Sequence, residues 1–230
     1  MTKTAIVLAG GLGTRLRGII GDLPKPMADI NGRPFLQYLL EYLSRQGLER
    51  CVLSVGYRRD AIMGYFGERF GGIDLVYCVE DEPLGTGGAI TKALSYVDDQ
   101  EVFALNGDTL FLADLPGLYE LYRCHNCAFA MALKPMRDFD RYGVVVVDDE
   151  HRVVGFQEKR ARGFGLINGG VYVMNTQVFD GLDLQENFSI EKDFLERYYQ
   201  TKRFCGFEFD AYFIDIGVAQ DYERAKAELA

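Results

Sequence analysis

The sequence predicts an α/β fold built on a mixed, mostly parallel sheet, and three observations carry that reading. Apolar runs at residues 4–9 and 51–56 are too continuous for strands with one wet face, so they are expected to be covered on both sides, as in a parallel sheet. Segments with apolar residues at helical spacing separate these runs. The second half of the chain is richer in hairpin patterns, which adds antiparallel pairs to the sheet.

The elements follow in order. Strand 4–9 runs into the glycine-rich turn Gly10-Gly11-Leu12-Gly13-Thr14-Arg15-Leu16 and an amphipathic segment. Phe35, Leu36, Leu39, Leu40 and Leu43 predict a helix over 35–46, with Gly47 marking its end. Strand 51–56, a short helix over 60–66 and strand 73–79 come next. After Gly85-Thr86-Gly87-Gly88 a helix over 89–96 leads to strand 101–105, and a helix over 115–124 leads to strand 128–133. Residues 144–147 and 153–158 form a hairpin around the acidic turn Asp148-Asp149-Glu150. Strand 171–174, a helix over 191–199, strands 207–210 and 212–215 and a terminal helix over 221–229 complete the order. No repeat, low-complexity run or linker interrupts it, so residues 1–230 are expected to form one domain.

Charge and composition exclude several classes. Lys and Arg number 25 against 34 Asp and Glu, a net charge of −9, which argues against a protein that grips nucleic-acid backbone. A local cluster of cations and backbone N–H groups can still receive an anionic substrate. Aromatic residues at 13% argue against disorder. No run of about 18 apolar residues predicts a membrane span, and no secretory signal is read. Five cysteines, an odd number, then predict reduced thiols in a cytoplasm. Cys124 and Cys127, spaced as a pair, are expected to be small buried thiols after a helix, because no zinc or redox partners accompany them. The aromatic pair Tyr38 and Tyr42 is assigned to the core or to a subunit contact.

Several motifs carry chemistry. Gly10, Gly11 and Gly13 let backbone N–H groups converge ahead of a helix start, which suits a phosphate, although a tight structural turn explains the same glycines. The turn matches neither the dinucleotide fingerprint nor the P-loop. Arg15 lies within it, and Lys25 is stiffened between Pro24 and Pro26, as suits a cation held in place, or an ordinary proline loop. Asp108 and Asp215 each follow or end a strand, where ligands gather in open α/β sheets and where aspartates also serve as caps. Glu80 and Glu82 are either acceptors for a base or solvated.

These segments, taken in order, resemble the sugar-1-phosphate nucleotidylyltransferases. The glycine turn and Pro24-Lys25-Pro26-Met27 are joined by Glu82-Pro83-Leu84-Gly85-Thr86-Gly87-Gly88, Asn106-Gly107-Asp108, Tyr142-Gly143-Val144, Glu158-Lys159, Asn168-Gly169-Gly170-Val171-Tyr172 and Ile214-Asp215-Ile216-Gly217. Nearly the whole chain is covered. Within the family, Arg15-Leu16-Arg17-Gly18-Ile19-Ile20 and Asp138-Phe139-Asp140-Arg141-Tyr142-Gly143 are most similar to the branch that guanylylates D-glycero-α-D-manno-heptose 1-phosphate. Val218 departs from the usual Thr of the wider family, and no C-terminal β-helix domain is expected.

The resemblance implies a Rossmann-like three-layer αβα sandwich of the nucleotide-diphospho-sugar transferase type. It implies GTP and a sugar 1-phosphate as substrates, Mg²⁺ as cofactor, pyrophosphate as co-product, and a place in capsule or lipopolysaccharide precursor synthesis. Arg15, Lys25 and Asp108 are the implied catalytic residues, and Asp108 and Asp215 the implied metal pair. Nucleotide binding falls to Leu8, Ala9, Gly10, Gly11, Gly13, Thr14, Arg15, Glu80, Gly85, Thr86 and Gly107. The sugar phosphate falls to Lys25, Tyr142, Gly143, Glu158, Lys159, Asn168 and Gly169. Because a phosphate nucleophile is already ionised, no general base is needed, in keeping with a chain whose only histidines are His125 and His151. Rival readings are another sugar 1-phosphate such as mannose or glucose 1-phosphate, another base, or a non-catalytic regulatory homologue. Retention of Arg15, Lys25, Asp108 and Asp215 speaks against the last. An NAD-dependent oxidoreductase is disfavoured, since no acidic residue ends the strand at 51–56. Self-association is left open.

Overall fold

The computed structural model describes residues 1–11 and 16–229, so the expectations for Gly13, Thr14 and Arg15 lie outside the described residues. The strands are β1 (Thr4–Leu8), β2 (Asp29–Ile30), β3 (Arg33–Pro34), β4 (Arg50–Val55), β5 (Arg69–Phe70), β6 (Ile73–Val79), β7 (Glu101–Asn106), β8 (Thr109–Phe111), β9 (Phe129–Phe139), β10 (Val144–Val147), β11 (Val153–Gln157), β12 (Arg162–Asn175), β13 (Phe204–Glu208) and β14 (Phe213–Asp215). The helices are α1 (Arg17–Ile20), α2 (Phe35–Arg45), α3 (Arg59–Phe66), α4 (Gly85–Leu94), α5 (Leu115–Cys124), α6 (Glu196–Tyr198) and α7 (Ala219–Glu228). A 3₁₀ turn covers Lys25–Met27, and π-helical winding covers Ile190–Leu195.

The apolar runs occupy the middle of the sheet, whose order is β11-β10-β12-β7-β1-β4-β6-β5. β1 pairs parallel with β4 and β7, and β4 pairs parallel with β6. β12 pairs antiparallel with β7 and β9, which makes the sheet mixed as expected. Alternate residues of the central strands feed opposite cores. Ala5, Val7, Leu53 and Phe103 pack in one with α2, α3, α5 and α7, while Ile6, Val52 and Ala104 pack in the other with α4 and the π-helical segment. Helices therefore cover both faces, and the three-layer sandwich follows from period-two alternation within continuously apolar strands. Tyr42 belongs to the first core and donates from its hydroxyl to Ala113 O at 2.5 Å.

Several expectations need correction. β9 and β12 run well past the expected 128–133 and 171–174 and form a long antiparallel ribbon, because their outer halves are half-exposed and carry no apolar run to read. The helix expected from residue 89 begins at Gly85. The expected helix over 191–199 is π-wound at its start. β8 was not anticipated; it pairs with β14, and the register sets Asp215 opposite Thr109. The cysteines also differ. Cys127 and Cys205 are disulfide-bonded, because β9 and β13 run side by side with Cys205 opposite Ala130 and their Cα atoms lie 6.1 Å apart. Cys51 and Cys78 are buried free thiols, whereas Cys124 is exposed rather than buried.

Candidate active site

β1 and β7 lie side by side and end together, and the chain turns sharply after β7. Gly107 donates its N–H to Leu8 O at 2.9 Å, and a Cβ there would meet that oxygen at 2.4 Å. Only glycine permits this approach, and it delivers Asp108 to the C-terminal edge of the sheet. Ile216 N–H donates to Asp108 O at 3.0 Å, so the β8–β14 pair brings Asp215 beside it.

Lys25 reaches the same place from the 3₁₀ turn. Buried Pro26 and Met27 anchor that turn, and Lys25 Nζ lies 2.9 Å from Asp108 Oδ2. Its side chain is only 18% exposed, which makes it a held cation rather than a solvated one. Asp215 Oδ1 accepts from Gly217 N–H at 2.8 Å, and Oδ2 accepts from Tyr142 OH at 3.3 Å. Burial and then the Asp108 charge push the Asp215 carboxyl above its ordinary value, against the downward pull of Gly217 N–H, Lys25 and Arg141. Burial first, then Asp215, raises the Tyr142 hydroxyl as well.

Two cavities meet at these residues. The first, about 850 Å³, is lined by Leu8, Gly10, Gly11, Glu80, Gly85 and Thr86 together with Lys25 and Asp108. The second, about 790 Å³, is lined by Tyr142, Gly143, Glu158, Lys159, Asn168 and Gly169 together with Asp215. Asn106 lines both. Its Oδ1 is buried without a partner among the described residues, an orphaned acceptor at the seam. Ala9 and Gly107, expected among the nucleotide-binding residues, do not line the first cavity: Ala9 is fully buried and donates its N–H to Ser54 O at 2.8 Å. Glu158 and Lys159 follow the end of β11 and are exposed. Asn168 is held at both ends, donating from Nδ2 to Tyr172 OH at 2.8 Å and accepting from Gly170 N–H at 3.0 Å.

The glycines of residues 85–88 have a packing reason. Gly87 and Gly88 donate their N–H groups to Phe188 O at 2.9 and 3.4 Å, and a Cβ on Gly87 would meet the Phe188 ring at 2.0 Å. Their missing side chains thus seat α4 against residues 186–188, leaving Gly85 and Thr86 at the cavity. Glu80 is likewise engaged, accepting from Ser54 Oγ at 2.7 Å and from Leu84 N–H at 3.3 Å.

Among the cavity residues given no role from the sequence are Asn106, Arg141 and Glu191. Arg141 pairs with the buried Asp221, in a segment whose order was noticed but whose charge was not assigned. Glu191 sits in the π-helical winding, which has no sequence signal of its own.

Comparison with known proteins gives the family. A family model described as nucleotidyl transferase matches residues 4–230. D-glycero-α-D-manno-heptose 1-phosphate guanylyltransferase of Aneurinibacillus thermoaerophilus is 49% identical over 225 residues, covering 98% of this chain and 97% of that one. The enzyme of the same description from Campylobacter jejuni is 48% identical over 218 residues, covering 95% and 96%. The crystal structure of HddC from Yersinia pseudotuberculosis complexed with GMP-PN superposes with a TM-score of 0.90 at 36% identity over all of both chains.

Proposed function

Since the chain belongs to the nucleotidyl transferase family, we propose that it joins GTP to a sugar 1-phosphate, D-glycero-α-D-manno-heptose 1-phosphate in the first place, to give the GDP-sugar and pyrophosphate. The observation that carries this reading is the seam. A held lysine and two converging carboxylates stand where a cavity suited to a nucleotide meets one suited to a polar, anionic partner.

An oxygen of the sugar phosphate attacks the α-phosphorus of GTP. The bond to the bridging oxygen breaks, and its electron pair leaves with pyrophosphate. No proton must move, because the attacking phosphate is already ionised. The obstacle is repulsion between two anions, and cations placed between them lower it. Lys25, held against Asp108, would serve that role, and Arg15 is assigned the second positive charge by its position in the sequence of residues 10–16.

The donor set fits Mg²⁺. Asp108 and Asp215 offer hard carboxylate oxygens, and the upward push that burial and then the Asp108 charge exert on Asp215 is what a divalent cation relieves. Asp108 and Asp215 would hold the ion together with substrate phosphates, as is usual for Mg²⁺. When bound, the ion neutralises phosphate charge. The product would enter cell-surface polysaccharide or lipopolysaccharide assembly from the cytoplasm; among the described residues no helix is long and apolar enough to cross a membrane.

The test is a pyrophosphate-release panel crossing four nucleoside triphosphates with heptose and hexose 1-phosphates. Guanine offers N–H donors that adenine lacks, so a site with acceptors for them leaves those acceptors unpaired with ATP. GTP should exceed ATP by at least about tenfold in kcat/KM, the lower end of one unpaired group. Equal rates with ATP, or a preference for a pyrimidine nucleotide, would remove the guanine assignment.

A further inference from the structure

Glu191 lies in the second cavity but is held from the first. Its Oε2 accepts from Ser189 Oγ at 3.0 Å and from Thr86 Oγ1 at 3.3 Å. Thr86 lines the first cavity and accepts in turn from Ile190 N–H at 2.9 Å. Ser189 also caps the π-helical segment by accepting from Lys192 N–H at 3.3 Å. Such windings occur preferentially at functional positions.

One oxygen is thus used up in fixing the rotamer. The other, Oε1, has no partner among the described residues and is not among their buried orphaned atoms, so it opens on the cavity. An ionised carboxylate only accepts, so whatever meets Oε1 must donate. The anionic end of a sugar 1-phosphate would be repelled here; its hydroxyls are the donors available. The Glu191 charge also reaches the Tyr172 hydroxyl, which burial first and Glu191 second push up, and Tyr172 is bonded to Asn168. Glu191 and Asn168 therefore belong to one polar floor.

We infer that Glu191 is a specificity-determining residue of the sugar cavity, its Oε1 accepting from one sugar hydroxyl while the hydroxyls of Ser189 and Thr86 hold it in place. This rests on the sugar-phosphate reading of the second cavity. A hydrogen bond to a charged group discriminates more sharply than a neutral one, so losing that hydroxyl should weaken binding at least about tenfold. The clamp also ties the sugar cavity to α4, so the acceptor is preset before the sugar arrives.

The experiment is calorimetric binding of heptose 1-phosphate and its monodeoxy analogues, in the presence of α,β-methylene-GTP, to wild type, Glu191→Gln and Ser189→Ala. Wild type should lose at least about tenfold for one deoxy position. In Glu191→Gln that penalty should shrink to about threefold or less while the others persist, and in Ser189→Ala it should shrink in part. Affinity for the GTP analogue should move by less than about threefold in both. Unchanged penalties in Glu191→Gln, or an equal loss for the nucleotide, overturn the inference. Pyrophosphate release by wild type is measured alongside. If wild type turns over and the penalties persist, the inference falls alone; if it neither binds a sugar 1-phosphate nor turns over, the cavity reading falls and takes the inference with it.

Discussion

Replacing Lys25 by alanine removes a cation held against Asp108, at 2.9 Å and 18% exposed. Two unit charges about 4 Å apart interact by about 4 kcal/mol at an effective dielectric constant near 20. Water admitted by the shorter side chain returns part of that, leaving a loss of about 3 kcal/mol in the transition state. At 1.36 kcal/mol per tenfold, kcat should fall by about 10²–10³, as for loss of one preorganised donor. Lys25→Arg should not rescue fully, because a forked guanidinium does not fill a compact ammonium site. A second signature follows from the same geometry. Lys25 pulls the Asp215 carboxyl down against burial and Asp108, which push it up. If turnover needs the carboxylate, activity is lost as pH falls through its pKa, and removing Lys25 must move this acid limb to higher pH. The assay is pyrophosphate release against pH at fixed magnesium. A variant altered only in KM, or one whose acid limb stays in place, would refute the reasoning.

Two further outcomes are expected. Asp215 titrates above its ordinary 3.8 when folded, so the fold binds its proton more tightly than the unfolded chain does and loses stability as pH rises from 3.8 through the raised value. Asp215→Asn should therefore abolish turnover yet raise Tm by about 1–6 °C near pH 7 without magnesium, and by almost nothing at about pH 3; an equal or lower Tm near pH 7 contradicts this. Gly87→Ala should lower Tm by about 2–12 °C, since its Cβ would meet the buried Phe188 ring at 2.0 Å. An unobstructed helix would gain about 1 kcal/mol from the same change, so a rise in Tm would show that the contact is not limiting.

Legibility from sequence followed the range of the interactions. Ile73–Val79 and Leu115–Cys124 have the expected bounds, because an apolar run and a helical period are local signals. β8 and β14, three residues each, carry no period, yet their register is what brings Asp215 to Asp108. The two aspartates were therefore readable as strand-end carboxylates, while their meeting was not. The need for glycine at Gly87 is hidden for a related reason: its neighbour Phe188 is remote in sequence, so the contact exists only once the fold closes. The disulfide likewise depends on the parallel β9–β13 pairing, which no cysteine spacing encodes.

Direct attack of one substrate on the other at the seam is tested by stereochemistry at phosphorus. A single diastereomer of guanosine 5′-O-(1-thiotriphosphate) is turned over with heptose 1-phosphate, and the configuration of the thio-GDP-sugar is determined by ³¹P NMR. One in-line displacement, with the sugar phosphate entering as pyrophosphate leaves, predicts inversion. Retention would require a nucleotide-bound protein intermediate, and would contradict the account.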